Sequence, residues 1–220
     1  TREEELGYID NALTSAGTLL SMINDLLDIA KIEAGKMTVL VNDYNVEEIL
    51  EDVAPMVGVQ AKRKGLELKM EVEGEQTLMV RADLQRTRQI LLNLIGNAVK
   101  FTNAGTISVC AGRDPDQREM IRFTVTDTGI GIQPQNLARI FDKFIQLGSN
   151  TTRGDKGSGL GLTIASNLVE MMGGRIEARS EGEGMGTTMI FTLPCGGGGS
   201  HAAAGDARFD NMDEMLPSTF

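Results

Sequence analysis

A predicted helix that follows Asp83 ends in the sequence Asn93-Leu94-Ile95-Gly96-Asn97-Ala98-Val99-Lys100-Phe101-Thr102. Its polar residues Asn93, Asn97 and Lys100 recur at steps of four and three, so they lie on one helix face. The opposite face is apolar and can be buried against a sheet, with Ile90, Leu91, Leu94, Ile95 and Ala98. Two amides and an ammonium can hold a triphosphate and a metal ion, since an amide oxygen is a suitable Mg²⁺ ligand. A solvated polar face would give the same pattern.

Two glycine-bearing segments favour a nucleotide site over a solvated face. Asp127-Thr128-Gly129-Ile130-Gly131 follows a predicted strand, where a carboxylate can accept a hydrogen bond from an exocyclic amine and glycines let a flat ring approach. Gly157-Ser158-Gly159-Leu160-Gly161 opens a predicted helix, where backbone N–H groups and the helix dipole favour phosphate. A simple turn explains either segment alone, and the second fits neither the Walker nor the dinucleotide pattern.

The surrounding sequence predicts an α+β domain. We expect strands at residues 37–41, 66–72, 106–111, 120–126, 175–180 and 187–193, and helices at residues 45–64, 83–101, 134–144 and 157–172. Asn45-Val46-Glu47-Glu48 forms a capping box, and Pro55 predicts a kink in the helix that follows. Adjacent strands late in the chain indicate hairpins, so we expect a mixed sheet.

The first 34 residues predict one long helix that ends near Gly35. Apolar residues recur along it at steps of three and four, at Leu6, Ile9, Leu13, Ala16, Leu20, Ile23, Leu27 and Ala30. Packing of this helix on its own domain would explain the pattern. Its length and its position at the chain end favour self-association instead.

Composition narrows the classes of function. The 220 residues, 41% of them hydrophobic, suffice for one core with an appendage. A net charge of −10 argues against nucleic acid as a partner, since a polyanion needs a basic face, but it allows a nucleotide. We expect no membrane segment and no signal peptide. Cys110 and Cys195 have no metal-ligand spacing, which fits a reducing cytosol.

Taken together, the motifs resemble the ATP-binding catalytic domain of sensor histidine kinases, possibly hybrid ones, of the Bergerat or GHKL superfamily. Residues 93–102 resemble the N box, residues 127–131 the G1 box, residues 141–144 the F box and residues 157–162 the G2 box, in the family's order. Gly186-Thr187-Thr188 resembles the motif near the last strand, and residues 25–35 are similar to the end of the second dimerisation helix. The resemblance implies a two-layer α/β sandwich over residues 37–194, with ATP between helices and a mobile lid.

The resemblance also implies a role for each residue at the base end of the site. Asp127 would recognise the adenine amino group, and Gly129 and Gly131 would line the base pocket. Thr187 would join the water network beside adenine. A lid over residues 133–157 would be anchored by Phe141 and Phe144.

At the phosphate end, the resemblance makes Asn97 the Mg²⁺ ligand. Asn93 and Lys100 would contact the phosphates and support transfer. The triphosphate would be framed by Gly157, Gly159, Leu160 and Gly161. Arg153 and Lys156, in the lid, would reach the γ-phosphate. The expected cofactors are therefore ATP and Mg²⁺.

The same resemblance divides the chain into three parts. Residues 1–35 would be the second helix of a truncated dimerisation and phosphoacceptor domain, residues 36–195 the ATP-binding catalytic domain, and residues 196–220 a flexible linker and tail. Gly196-Gly197-Gly198-Gly199-Ser200 is a typical linker sequence, and no periodicity follows it.

The implied activity is that of a cytoplasmic protein-histidine kinase, a homodimer in its full-length form. Its partners would be a phosphoacceptor histidine domain and a response regulator receiver domain. The family's acceptor run, of the form His-Glu/Asp-Leu-Arg, is absent from the sequence. The single histidine, His201, follows the glycine linker and has no acidic neighbour. We therefore expect the acceptor to come from elsewhere.

Other functions remain as alternatives. In ATP-hydrolysing relatives such as gyrase, HSP90 and MutL, a glutamate acts as general base one helical turn before the metal-binding asparagine. Asn93 occupies that position, and an amide cannot abstract a proton from water. An anti-sigma serine/threonine kinase is disfavoured by the dimerisation-type helix. An ATP-binding regulatory module without transfer, and an interaction domain that pairs two copies, stay open.

Overall fold

The structure, a computed structural model, describes residues 2–74, 77–145 and 158–197. The helices of this part are α1 (Arg2–Glu33), α2 (Val46–Arg63), α3 (Leu84–Phe101), α4 (Pro134–Leu137) and α5 (Gly161–Met171). The strands are β1 (Asn42–Asn45), β2 (Glu67–Val72), β3 (Met79–Ala82), β4 (Thr106–Arg113), β5 (Met120–Asp127), β6 (Arg175–Arg179) and β7 (Thr187–Pro194).

The main sheet is mixed, as the late hairpins predicted. Its strand order is β2-β4-β5-β7-β6, and β2 is parallel to β4 while the other neighbours are antiparallel. β1 and β3 form a separate antiparallel pair. Alternate residues of β5 face the core, and its Phe123 ring stacks on Phe191 of β7 with centroids 4.6 Å apart. This alternation is typical of a sheet with one buried face.

Helices α2, α3 and α5 pack together and against the sheet, which gives the expected α+β two-layer architecture. The five apolar residues expected on one face of α3 are all buried: Ile90, Leu91, Leu94, Ile95 and Ala98. Each large one contributes roughly 1.5–3 kcal/mol by leaving water. This burial fixes the rotation of α3, so its polar face points away from the core.

The two long core helices begin where their capping residues predict. The Asn45 side chain accepts a hydrogen bond from the backbone of Glu47 at 2.9 Å, and Asp83 accepts one from Arg86 at 3.1 Å. Such caps typically contribute about 1 kcal/mol. Pro55 lies inside α2, and the kink predicted there stays a prediction.

The strand predicted at residues 37–41 is wrong, because pairing with another strand begins only at Asn42. Residues 42–45 form β1 through their register with β3, which the sequence analysis did not predict. The preceding segment is held instead by a side chain that is distant in sequence. Leu40 donates its backbone N–H to the Asp83 carboxylate at 2.8 Å.

The helices predicted at residues 134–144 and 157–172 are shorter than expected. After α4 the chain continues in turns, with Asp142 N–H donating to Arg139 O, and Phe144 has a positive φ of 62°. Residue 157 lies outside the described residues, and α5 begins only at Gly161. Gly159 has φ +71°, a left-handed conformation that cannot belong to the helix.

Helix α1 has two different faces. Every described residue of its predicted apolar stripe is exposed: Ile9, Leu13, Ala16, Leu20, Ile23, Leu27 and Ala30. On the other face, Ile29 is buried, and Asp28 accepts hydrogen bonds from Arg86 at 3.1 Å and Gln89 at 2.9 Å. Gly35, at φ +63°, follows the helix end as expected. Part of α1 thus packs on its own domain, and the stripe is left free.

Candidate functional site

Helix α3 presents the three polar residues expected of it. Asn93, Asn97 and Lys100 are half-buried and lie on the face opposite the buried apolar residues. Within the described parts of the chain, neither amide makes a side-chain hydrogen bond. The Lys100 ammonium lies 5.0 Å from the centroid of the Phe101 ring, a cation–π distance. This face therefore keeps donors and acceptors available for a ligand.

Asp127 ends β5 and is almost fully buried, with 8% of its surface exposed. Its Oδ1 accepts the Gly129 backbone N–H at 2.8 Å. Burial raises the pKa of this carboxyl, and hydrogen bonds from the N–H groups of Gly129 and Thr187 oppose the rise. Because a carboxylate has about four lone-pair sites, it can still accept a bond from an exocyclic amine. Thr187, half-buried, pairs with Asp127 in the β5–β7 register.

Two positions in the loop after Asp127 have room only for glycine. A Cβ on Gly129 would lie 2.5 Å from the Phe101 carbonyl oxygen, and one on Gly131 would lie 2.0 Å from the Gly182 carbonyl oxygen. Gly131 also has φ +70°. The loop is tied to the end of α3 by the Ile130 N–H, which donates to Phe101 O at 3.2 Å. We call residues 127–131 the base loop.

The start of α5 meets the polar face of α3. A Cβ on Gly161 would lie 2.3 Å from the Asn93 Oδ1, so any larger residue here would displace the Asn93 amide from its position. Leu160 is buried in the core and anchors the segment. The structure thus brings the second glycine segment beside the amide that the sequence placed at the phosphates. Gly157, together with Arg153 and Lys156, lies outside the described residues.

The two phenylalanines expected to anchor the lid differ in their surroundings. Phe141 packs against the core, and its carbonyl accepts the Thr163 hydroxyl at 2.8 Å. The Phe144 side chain is 64% exposed, and only its backbone is held, by donation of its N–H to Gly159 O at 3.0 Å. The segment is therefore anchored by the Phe141 side chain and the Phe144 backbone.

A contact between α1 and the second glycine segment was missed by the sequence analysis. The Ser158 hydroxyl donates to Asp25 Oδ2 at 2.9 Å. Burial raises the Asp25 pKa, the Ser158 hydrogen bond lowers it, and the Asp28 charge raises it. No sequence signal links these residues, since they are 133 positions apart.

No group of three or more histidine, cysteine, aspartate or glutamate side chains in the described residues could hold a metal ion. Mg²⁺ does not require such a cluster, because it binds mainly through phosphate oxygens and water and needs one hard protein ligand. The Asn97 amide oxygen, which has no hydrogen bond within the described structure, is a suitable ligand of this kind.

The two cysteines are free thiols of low reactivity. Burial, followed by the neighbouring Glu73, raises the pKa of Cys110 to about 11. Burial also raises the Cys195 pKa, against the opposing Arg113 charge. Neither thiol forms the thiolate that nucleophilic catalysis requires near neutral pH.

Comparison with known proteins identifies relatives for most of the chain. Residues 82–197 match the family described as histidine kinase-, DNA gyrase B-, and HSP90-like ATPase. The hybrid signal transduction histidine kinase B of Dictyostelium discoideum is 40% identical over 184 residues, which cover 83% of this chain and 9% of that protein. The non-motile and phage-resistance protein of Caulobacter vibrioides is 41% identical over 191 residues, covering 86% of this chain and 22% of that protein.

Among solved structures, full-length ShkA in complex with AMPPNP superposes with a TM-score of 0.74 at 36% identity. The match covers 87% of this chain and 39% of ShkA. The chain thus spans less than a quarter of the length of the Dictyostelium and Caulobacter proteins that it matches. In the part that the structure describes, no helix is both long and apolar enough to cross a membrane.

Proposed function

The chain belongs to the histidine kinase-, DNA gyrase B- and HSP90-like ATPase family, as an ATP-binding catalytic domain of the two-component kind, and from this premise we propose how it works. It binds Mg-ATP in the cleft between α3, the base loop and α5, and donates the γ-phosphate to a histidine of a phosphoacceptor domain. The observation that carries the proposal is the contact of Asn93 with Gly161, where α3 meets α5.

The base end of the cleft recognises adenine through Asp127. The buried carboxylate accepts a hydrogen bond from the exocyclic amine, and Thr187 lies beside it. Gly129 and Gly131 let the ring approach the backbone. A hydrogen bond to a buried charged group typically contributes about 1.5–3 kcal/mol, so Asp127 accounts for much of the base selectivity.

The phosphate end holds the triphosphate on the polar face of α3. Mg²⁺, when bound, neutralises charge on the phosphates, with Asn97 as its protein ligand. Asn93 and Lys100 contact phosphate oxygens, and Gly159, Leu160 and Gly161 frame them at the start of α5. Gly157, which the family resemblance adds to this set, lies outside the described residues. Phosphoryl transfer needs mostly positioning and charge neutralisation, which these residues supply. Lys156 and Arg153, for which the family resemblance implies contact with the γ-phosphate, lie outside the described residues.

Asn93 favours transfer over hydrolysis. A general base must take a proton from the attacking water, and an amide cannot do so. An imidazole nucleophile needs no such base, because its neutral nitrogen carries a free lone pair. The contact between Asn93 and Gly161 supports this proposal, because the amide lies beside the start of α5, which we propose frames the phosphates.

The partners follow from the same proposal. The exposed stripe of α1 pairs with a second copy in the full-length homodimer, because an apolar helix face of this length is typical of a coiled interface. The phosphoacceptor histidine is supplied by a dimerisation domain, and a response regulator receiver domain takes the phosphate onward. The protein acts in the cytoplasm, where ATP and reduced thiols are available.

The test is transfer of label from γ-labelled ATP, with Mg²⁺, to a separately purified dimerisation domain that carries an acceptor histidine. We expect acid-labile label on that domain and none when its histidine is replaced by alanine. Binding of ATP without label transfer would instead support a regulatory module. Steady release of inorganic phosphate without the added domain would support an ATPase and contradict the proposal.

A further inference from the structure

The end of α3 joins the two ends of the nucleotide cleft. Its last residues, Lys100 and Phe101, lie between the polar face of the helix and the base loop. The last four carbonyls of a helix have no partner inside it, so their partners must come from elsewhere. Two of them have backbone partners: Ala98 O accepts the Thr102 N–H at 3.0 Å, and Phe101 O accepts the Ile130 N–H at 3.2 Å.

The other two terminal carbonyls are held by a single side chain. The Lys64 ammonium donates to Val99 O at 2.8 Å and to Lys100 O at 2.9 Å. Lys64 is the residue that caps α2, and α2 carries none of the site residues. A cation at a helix C-terminus interacts favourably with the terminal carbonyls and the helix dipole. Among the described residues, no carboxylate forms an ion pair with Lys64, so the carbonyls are its partners.

We propose that Lys64 is a positioning residue of the nucleotide site. By holding the carbonyls of Val99 and Lys100, it fixes the turn of α3 from which the Lys100 side chain projects. The inference rests on the proposed function, because it concerns how well that site binds ATP. Nothing in the motifs of the family resemblance includes residue 64.

The geometry shows how a loosened turn reaches the base. The Phe101 carbonyl lies in the same turn, and the base loop is packed so tightly against it that a Cβ on Gly129 would lie 2.5 Å away. The Ile130 N–H bonds to the same carbonyl. Rotation of this turn therefore displaces the base loop and the Lys100 ammonium together.

A purely structural role would act differently. Val99 is buried and Lys100 half-buried, so water can reach part of this helix end when the Lys64 ammonium is removed. Most of the packing of α3 comes from its buried apolar face, whereas the bonds of Lys64 go to backbone carbonyls of the last turn. Loss of the ammonium thus loosens one turn and leaves the core in place, and binding suffers more than folding.

The experiment compares Lys64→Met with Lys62→Met in the full chain. Both lysines are exposed, and both substitutions remove an ammonium from the end of α2, but Lys62 bonds to no carbonyl of α3 within the described structure. The measurements are the Kd for Mg-ATP at 10 °C by calorimetry and the thermal midpoint. Lys64→Arg tests rescue, since a guanidinium can reach the same carbonyls. Lys64→Gln is measured in parallel in case the methionine variant folds poorly.

We expect Lys64→Met and Lys64→Gln to bind Mg-ATP about fivefold more weakly than the wild type, the factor that roughly 1 kcal/mol corresponds to. Lys64→Arg and Lys62→Met should bind within about twofold of it. Equal affinity in Lys64→Met and Lys62→Met, or a lower thermal midpoint with unchanged affinity at 10 °C, would overturn the inference. A wild-type chain that does not bind Mg-ATP would overturn the proposed function itself, so the two failures are distinct.

Discussion

The base end and the phosphate end of the cleft are built in different ways. At the base end, Asp127 is buried and already hydrogen-bonded, and Gly129 and Gly131 are in contact with neighbouring backbone. At the proposed phosphate end, Asn97 and Lys100 stand on a half-buried helix face, and their side chains have no hydrogen-bond partner among the described residues. The base end is preorganised by the fold, whereas the phosphate end is completed by its ligand.

The difference has a consequence for substitutions. Residues at the base end serve both folding and binding, so replacing them changes stability as well as affinity. Residues of the polar face of α3 contribute little to the native packing, so replacing them changes affinity alone.

The largest effect is expected from Gly131→Ala. The residue has φ +70°, which costs a residue with a Cβ about 1–2 kcal/mol, and the new Cβ would also clash with Gly182 O. We expect the free energy of unfolding to fall by about 2 kcal/mol or more and ATP binding to be lost. Urea denaturation and calorimetry measure the two effects.

Gly58→Ala is the matched control, because Gly58 lies inside α2 with no atom within 4 Å of its added Cβ. It should stabilise the protein by about 0.5–1 kcal/mol and leave ATP affinity unchanged. A Gly131→Ala protein as stable as the wild type would show that the base loop is not fixed by its backbone.

Asp127→Asn should separate the effect of the buried charge on stability from its effect on ATP binding. A carboxylate offers the amine of the base only acceptors, whereas the asparagine side chain also carries N–H donors. The substitution should therefore weaken ATP binding about tenfold to a hundredfold. At neutral pH the substitution should raise the free energy of unfolding, because burial makes the ionised form of Asp127 unfavourable.

The pH dependence follows from the raised Asp127 pKa. Since the native pKa lies above the ordinary value of 3.8, the native state binds more protons than the unfolded state between these two values. The contribution of Asp127 to the free energy of unfolding is therefore largest below pH 3.8 and falls as the pH rises through the native pKa. The advantage of Asp127→Asn over the wild type should grow across the same window in urea denaturation curves, and a constant difference would contradict the burial argument.

Asn97→Ala tests the phosphate end. Its amide has no hydrogen bond to lose within the described structure, so the free energy of unfolding should stay within about 0.5 kcal/mol of the wild type. Affinity for Mg-ATP should fall about tenfold, and affinity for ATP without Mg²⁺ should fall less, because the amide is the proposed metal ligand. Asn42→Ala, an exposed change on β1, is the control. A marked loss of stability in Asn97→Ala would mean that the phosphate end is also preorganised.

The smallest effect is expected from Thr102→Val, beside the base loop. The Thr102 side chain is fully buried, and its hydroxyl has no hydrogen-bond partner in the described structure. Replacing the hydroxyl by a methyl of similar size should change the free energy of unfolding by less than about 1 kcal/mol, in the stabilising direction. A destabilised Thr102→Val protein would show that the hydroxyl is paired in solution, and denaturation by urea decides between the two outcomes.

Sequence reasoning found what local spacing encodes. The steps between Asn93, Asn97 and Lys100 placed them on one face of α3, and the strand before Asp127 placed that carboxylate at a strand end. Both features depend on neighbours a few residues away, so the periodicity of helix and strand was sufficient.

It failed where partners are distant in sequence. The strand at residues 37–41 was misplaced and β3 was missed, because β1 forms only through pairing with residues 79–82. The helix at residues 134–144 was too long, because the backbone of Phe144 is held by Gly159. The bonds from Lys64 to the end of α3 span 35 and 36 positions, and no local pattern predicts them.

We propose that the buried Asp127 carboxylate selects the base through its exocyclic amine. The most direct test compares the affinities of ATP and inosine triphosphate, which carries an oxygen in place of that amine, for the wild type and Asp127→Asn. We expect the wild type to prefer ATP by about tenfold or more and the variant to lose that preference. Equal affinities in the wild type, or a preference that survives in Asp127→Asn, would contradict the account.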